Sequence, residues 1–335
     1  MKKKHDHSRS KRRERGASLV ATLMVISLIS LIAVSLATDM RFSARRSINM
    51  EVRDQAHWYA LGARDYAESL VARLVEAPDT AFRPDAAWLD GPQIFPIEDG
   101  QLAGHIRDGN NCFNLNALVV VDEQGYRQVV PEEQRRLEVL MQAVGLPGSL
   151  SVQLSAEVAD WIDTDSRPIG GGAEDTSYDR LLRPRRPSNT LMVEREEMLA
   201  LRSMTPRAYE QIEPFVCTRP DTDPLPINLN TLSLDDVPLM RAALGGQISR
   251  AVAETVLSKR PPDGFEAVTE FWQMEEIQAL DLDSSLQARF AVTTQYFEID
   301  IDVLYAGQRY RLSEVIEARA GSEPIRLTQR YGIFS

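Results

Sequence analysis

Arg15-Gly16-Ala17-Ser18-Leu19-Val20-Ala21-Thr22-Leu23 opens an apolar run that stays uncharged to Thr38 and stops at Asp39. These 22 residues, at about 1.5 Å each, make a helix of about 33 Å, enough to cross the hydrocarbon core of a bilayer. The helical pattern continues beyond Asp39. No proline occurs before Pro78, and Tyr59, Ala60, Ala63, Ala67, Leu70, Val71 and Leu74 recur at helical spacing. One helix from Ala17 to about Ala77 would measure about 90 Å, its first half in lipid and its second half carrying a folded domain.

Charge is distributed unevenly around that run. Residues 1–16 hold eight Lys/Arg against two acids, while the 335-residue chain stands at −11, so everything after Gly16 carries −17. A basic leader before an apolar span stays cytoplasmic and sends the remainder across the membrane. So acidic an exported body argues against nucleic acid as a partner. Secretory signals place their small-residue cleavage site after the apolar core. Here the small-residue junction Gly16/Ala17 precedes it, so a cut there removes the charges and keeps the helix as an anchor. That is the arrangement of a type IV prepilin-like protein; an uncleaved single-pass signal anchor also fits the leader.

Prolines 78, 84, 92 and 96, with Asp90-Gly91, end the long helix in an irregular connection. Ile94–Glu98 and Gln101–Arg107 flank Asp99-Gly100, a hairpin signal, so a sheet begins there. At the other end, Phe297, Ile299, Ile301, Val303 and Tyr305 alternate with Glu298, Asp300, Asp302 and Leu304, and two further strands follow around Tyr310–Ile316 and Ile325–Ile333. These strands are expected to complete the sheet begun at 94–107 and to pack on the Tyr59–Leu74 face of the helix.

Between the two groups of strands the sequence repeats itself. Phe113-Asn114-Leu115-Asn116-Ala117-Leu118 is echoed by Ile227-Asn228-Leu229-Asn230-Thr231-Leu232. Leu140–Gly145 matches Leu239–Gly245 with one residue inserted, Leu154–Ile162 matches Ile248–Leu257, and Thr190–Met198 resembles Phe265–Met274. Two copies of a small helical module, about 113–218 and 227–292, are too few for a solenoid and read as a duplicated domain inserted in an α+β frame. Cys112 and Cys217 bracket the first copy. A lone cysteine is ordinarily core, but a bridge between these two would close a loop of about a hundred residues and contribute up to about 4–5 kcal/mol on the chain-entropy model.

The copies differ mainly where the first inserts residues 163–179, rich in aspartate and glycine, and then a basic, proline-rich return. Asp160, Asp163, Asp165, Glu174, Asp175 and Asp179 fall in or beside that insertion. Calcium takes six to eight oxygens, and an Asp-x-Asp step with a returning Glu-Asp can supply several. It is not an EF-hand, because Arg167 holds the third ligand position and no closing glutamate follows. A solvated acidic loop fits the same residues, and Asp160 can equally cap or pair locally. The second copy, Ile227–Leu257, also resembles a helix-hairpin-helix DNA-binding module with Gly245-Gly246 as its hairpin, which Asp235, Asp236 and Glu254 oppose. Nothing points to catalysis. His5, His7, His57 and His105 are scattered, and no Gly-x-Ser-x-Gly, His-Glu-x-x-His or phosphate loop occurs.

Taken together, these features resemble the type II secretion minor pseudopilin family known as general secretion pathway protein K. The resemblance spans nearly the whole chain. It rests on Arg15-Gly16 with its apolar helix, the Asn114-Leu115-Asn116 and Asn228-Leu229-Asn230-Thr231 segments, and Asp160-Trp161-Ile162-Asp163-x-Asp165 followed by Gly171-Gly172-Ala173-Glu174-Asp175-x-x-Tyr178. The family implies cleavage after Gly16 by a prepilin peptidase and N-methylation of Ala17. It implies a pseudopilin fold, a long helix on an antiparallel sheet, interrupted by an all-α insertion of two SAM-like or helix-hairpin-helix-like repeats.

The chain would then divide into a leader (1–16), a transmembrane segment (17–38), the periplasmic helix and first strands (39–111), two helical repeats (112–218 and 219–294) and C-terminal strands (295–335). The family also implies calcium in the acidic insertion, for which Asp163, Asp165, Glu174, Asp175 and Asp179 are the expected ligands. Its expected place is the inner membrane, at the tip of a periplasmic pseudopilus, beside minor pseudopilins I and J and through them H. No nucleic-acid partner and no enzymatic activity are expected. Most pilin-like proteins carry Glu five residues into the mature chain; here Ala21 stands there. That glutamate pairs with a neighbour's N-terminal amine, where an unpaired charge in lipid is costly, so Ala21 suits a subunit with no neighbour above it. The other reading is the equivalent minor pilin of a type IV pilus or DNA-uptake system.

Overall fold

The computed structural model describes residues 7–77 and 82–333, with side chains from 18 to 77 and from 82 to 332. Residues 1–6 of the expected leader, and Pro78, lie outside the described residues. Helix α1 runs His7–Glu76 without interruption, so its backbone continues through the Gly16–Ala17 junction. No proline separates the basic residues from the apolar run, and Lys and Arg are good helix formers, so the single Gly16 between them is carried within the helix. From Ser18 to Met50 every residue is exposed, and this is the one helix among the described residues long and apolar enough to cross a membrane.

Beyond that stretch α1 acquires a buried face. Ala56, Ala60, Ala67, Val71 and Val75 are buried at three- to four-residue multiples, the spacing of one helix side. They pack on a five-stranded sheet ordered β1-β2-β9-β10-β11, where β1 is Gln93–Ile97, β2 Gly100–Asp108, β9 Tyr296–Tyr305, β10 Gln308–Glu317 and β11 Ile325–Ile333. Every pairing is antiparallel. The sheet is thus assembled from the two groups of strands at either end of the insertion, as their alternation suggests. Phe297, Ile299, Ile301 and Val303 of β9 and Tyr310, Leu312 and Ile316 of β10 turn inward and share a core with α1. The alternate residues Glu298, Asp300 and Asp302 form the outer face, where Arg107 and Arg311 bridge them at 2.6–3.1 Å.

Ring contacts orient this frame. Tyr59 meets Tyr305 at 5.6 Å and Phe82 meets Phe297 at 6.3 Å. The end of β9 therefore lies beside Tyr59, midway along the part of α1 beyond the apolar span, and its start lies beyond the helix C-terminus. The chain departs into the insertion after Asp108, which pairs with Phe297, and returns at Tyr296. So the insertion stands at the sheet end farthest from the apolar span. Measured along α1, Thr38 to Glu76 is about 57 Å at 1.5 Å per residue.

The insertion has a separate hydrophobic core. Strands β3 (Phe113–Asn114) and β6 (Val216–Cys217) pair in parallel, as do β7 (Ile227–Asn228) and β8 (Phe290–Ala291), so each copy of the Asn-Leu-Asn segment is tied to the end of its own stretch of chain. Between them lie the β4–β5 hairpin (Val119–Val121 and Arg127–Val129), α2 (Pro131–Ala143), α3 (Gly148–Ile162), α4 (Val237–Ala243) and α5 (Arg250–Ser258). Helices α2 and α4, the matching helices of the two copies, pack on each other. Cys112 and Cys217 form a disulfide with Cα atoms 5.7 Å apart, which clasps the two ends of the first copy where they meet the sheet.

Candidate metal centre and the joint that carries it

Helix α3 is buried without a break from Leu154 to Ile162, so its polar residues must find partners inside the protein. Glu157 does. It accepts from the Ser203 amide at 2.8 Å and the Ser203 hydroxyl at 2.6 Å, and pairs with Arg202 at 3.1 Å. One turn on, Asp160 accepts from the Ile169 amide through Oδ1 at 3.0 Å, while its Oδ2 has no hydrogen-bond donor.

Asp163 ends the helix, and the chain loops back to bring Glu174 alongside. Ligand-capable oxygens of Asp160, Asp163 and Glu174 lie within 4.8 Å of one another, and all three residues are buried. A glycine closes the loop for a steric reason. A Cβ on Gly172 would sit 2.0 Å from Asp160 Oδ2, so any other residue would displace the carboxylate.

The electrostatics of this cluster are unfavourable as it stands. Asp163 Oδ1 and both oxygens of Glu174 are buried without a donor, like Asp160 Oδ2. Burial is the main cause pushing the three carboxyls up: Asp160 to about 6, against the pull of the Ile169 and Ala173 amides, and Asp163 and Glu174 to about 7, with neighbouring carboxylates adding to the rise. Arg127 acts weakly in the other direction on Asp163, its own hydrogen bonds being spent on the Ile162 and Asn189 carbonyls. Buried oxygens with no donor, all anionic and all turned to one point, fit a hard cation that takes oxygen ligands.

Of the five ligands expected from the sequence, Asp163 and Glu174 are brought together. Asp165 is exposed and its Oδ1 accepts from the Arg167 amide at 2.7 Å. Asp175 opens the one-turn helix Asp175–Tyr178 half-buried, and Asp179 follows it exposed. Asp160, which the sequence leaves free to cap or pair locally, is the third member. The signal available was its spacing, three residues before Asp163 on one side of a helix end.

The Asn-Leu-Asn segments carry a role that sequence reading did not assign. In the first copy Asn116 donates to the Met192 and Arg219 carbonyls and accepts from the Met192 amide. In the second, Asn230 donates to the Phe265 and Val292 carbonyls and accepts from the Phe265 amide. The same amide side chain thus splices two passing backbones in each copy, which explains why asparagine recurs at both positions. Asn228 donates to Asp108 at 2.9 Å, linking the second copy to the sheet. The hairpin glycines are occupied as well. The amides of Gly245 and Gly246 donate to Ala242 and Arg241 within the chain, and a Cβ on Gly246 would touch Val139 of α2 at 3.3 Å. The turn that a DNA-binding hairpin would offer to phosphate is a packing contact between the copies.

Two family models, each described as type II secretion system (T2SS), protein K, match residues 111–221 and 227–293. Curated relatives include the type II secretion system protein K of Aeromonas hydrophila, 29% identical over 91% of this chain and 93% of that one, and of Pectobacterium carotovorum subsp. carotovorum, 29% identical over 87% and 88%. The fold is similar to that of a chain in the crystal structure of the GspK-GspI-GspJ complex from the enterotoxigenic Escherichia coli type 2 secretion system. That match has a TM-score of 0.73 at 24% identity and covers 86% of this chain and 99% of that one.

Proposed function

The chain belongs to the type II secretion system protein K family, the minor pseudopilins of type II secretion, and we propose that it starts and caps the tip of the periplasmic pseudopilus. The observation that carries this reading is the position of the insertion, on the end of the sheet farthest from the apolar span. A helical subunit array grows by laying one α1 beside the next. A bulky body at the membrane-distal end leaves the lower flank of the helix free and obstructs a subunit above. Ala21 agrees with that polarity, since a terminal subunit has no N-terminal amine above it to neutralise.

The helix surface supports assembly through α1. Apolar exposure continues past the span with Met40, Phe42, Ile48, Met50, Trp58 and Tyr66, spread around the helix, and partner helices packed on more than one side would cover them. By the relation to the GspK-GspI-GspJ complex, those partners are minor pseudopilins I and J, and H through them. The role is structural and not enzymatic, with the two helical copies as SAM-like interaction modules.

In its mature form the protein is anchored in the inner membrane by residues 17–38, after prepilin peptidase has cut behind Gly16 and Ala17 has been N-methylated. Asp160, Asp163 and Glu174 would hold calcium, with Asp165, Asp175 and Asp179 as the nearby carboxylates able to complete its shell. Bound there, the ion supplies positive charge to carboxylates that have no donor, and so fastens the loop to the end of α3. N-terminal sequencing of the protein from cells with an active peptidase tests the reading: it should begin at Ala17, and an intact leader would overturn it.

A further inference from the structure

The segment that leaves the carboxylate loop reads Arg180-Leu181-Leu182-Arg183-Pro184-Arg185-Arg186-Pro187, four arginines with no acid among them, in a body that carries −17 beyond Gly16. Both ends are held. The Leu181 amide donates to the Tyr178 carbonyl at 3.2 Å and the Asn189 amide to the Trp161 carbonyl at 3.0 Å, and the Ser188 hydroxyl donates to the same Trp161 carbonyl at 3.1 Å. Tyr178 and Pro187 are buried. In the middle Arg185 is used internally, stacked over the Tyr178 ring at 5.8 Å and donating to the Leu201 carbonyl.

The other three arginines are left over. Arg180, Arg183 and Arg186 are exposed, and among the described residues they make no ion pair, whereas Arg195 and Arg202 nearby pair with Glu213 and Glu157. Leu182 stands between them wholly exposed. Two prolines restrict the backbone, so the arrangement is presented with little conformational freedom to lose on binding. Like charges set this close repel one another and gain when an opposite charge docks.

We propose that Arg180, Leu182, Arg183 and Arg186 form a docking surface for an acidic segment of another protein, with carboxylates on the arginines and an apolar side chain against Leu182. This goes beyond tip assembly through α1, because the surface lies on the insertion. A lipid headgroup of the anchoring membrane is not the occupant, since about 57 Å of helix separates the apolar span from the end of α1, and the insertion stands at the sheet end beyond it. Guanidinium groups pair with carboxylates in a bidentate fork, which gives such a surface direction as well as charge.

The test uses the full-length chain in a non-ionic detergent and a fluorescent peptide of alternating Glu and Asp around a single Leu, read by anisotropy at low salt. An isosteric Gln/Asn peptide and phosphatidylglycerol vesicles are the comparisons. The acidic peptide should bind. The triple variant Arg180→Glu, Arg183→Glu, Arg186→Glu should bind it at least about tenfold more weakly, with an unchanged melting curve, and the basic leader is common to both proteins. Single Arg183→Glu gives the same direction should the triple variant not fold. Equal binding by wild type and variant, no preference for the acidic over the neutral peptide, or capture of the vesicles with the peptide ignored would overturn the proposal.

Discussion

Asp108 Oδ2, on the last residue of β2, accepts a 2.6 Å hydrogen bond from Thr231 Oγ1 in the second helical copy. The same carboxylate takes Asn228 at 2.9 Å, Thr294 at 2.7 Å and the Asn110 amide at 2.8 Å. One half-buried side chain thus joins the sheet to both ends of the second copy. Burial pushes its carboxyl up, and these donors oppose the rise.

Asp108→Ala would strand several buried donors together. The expected cost is about 2–4 kcal/mol. Differential scanning calorimetry should show a lower and broader melt as the insertion loosens from the sheet. Asp108→Asn, which keeps an acceptor, should lie between. An Asp108→Ala melt equal to wild type would show that the joint does not depend on this residue.

The carboxylate centre makes stability depend on pH in a direction that can be worked out. Asp160 is raised to about 6 and Asp163 and Glu174 to about 7, whereas the unfolded chain titrates near the ordinary value of about 4. Without a cation the folded protein therefore holds these protons more tightly. Their contribution to stability is full below about pH 4 and is lost as pH rises through 7. The chelated protein should melt lower at pH 8 than at pH 5, and added calcium should restore the melt at pH 8 with little effect at pH 5. Asp163→Ala with Glu174→Ala should abolish the calcium response and leave only the smaller part of the pH slope that Asp160 carries. A calcium response that survives in that double variant would place the ion elsewhere.

Gly172→Ala should impair the centre while the copies stay folded, because the added Cβ would fall 2.0 Å from Asp160 Oδ2. Gly170→Ala, two residues earlier with open space around it, is the matched control. Calcium titration followed by melting temperature should separate them clearly. Identical responses would mean that the loop shifts without consequence for the carboxylates.

Replacing Cys112 and Cys217 together by Ala should lower stability by up to about 4–5 kcal/mol, since the bridge closes a long loop in the unfolded chain. Thiol titration of the denatured, unreduced wild-type protein should find neither cysteine free. Two reactive thiols would contradict the bridge.

Different parts of the molecule were legible in the sequence for different physical reasons. The helix and sheet were readable because burial of one face leaves a period. Tyr59 to Leu74 recur as a helix face, and Phe297 to Tyr305 alternate as a strand, so which elements pack together follows from local spacing. The duplication was readable because Asn116 and Asn230 must each splice two backbone passes, which no aliphatic residue can do. The membership of the carboxylate cluster was only half readable. Asp163 and Asp165 look equivalent in the sequence, but the chain turns outward after Asp163 and leaves Asp165 exposed. Asp160 enters the site only because Gly172 lets the returning backbone come close. Such a tertiary approach writes no periodic signal. The same holds for Gly245-Gly246, whose use as a turn was evident but whose packing on Val139 of the other copy was not.

The central claim is that this chain sits at the end of a pseudopilus, held through α1 with its insertion uppermost. It is tested most directly by co-expressing the full chain with minor pseudopilins I and J in membranes and cross-linking through single cysteines placed at the exposed Trp58 and at Leu182. The expected result is cross-links to I or J from position 58, and none to any pseudopilin from position 182. Position 182 cross-linked to the α1 helix of another pseudopilin would place a subunit above the insertion and contradict the tip assignment.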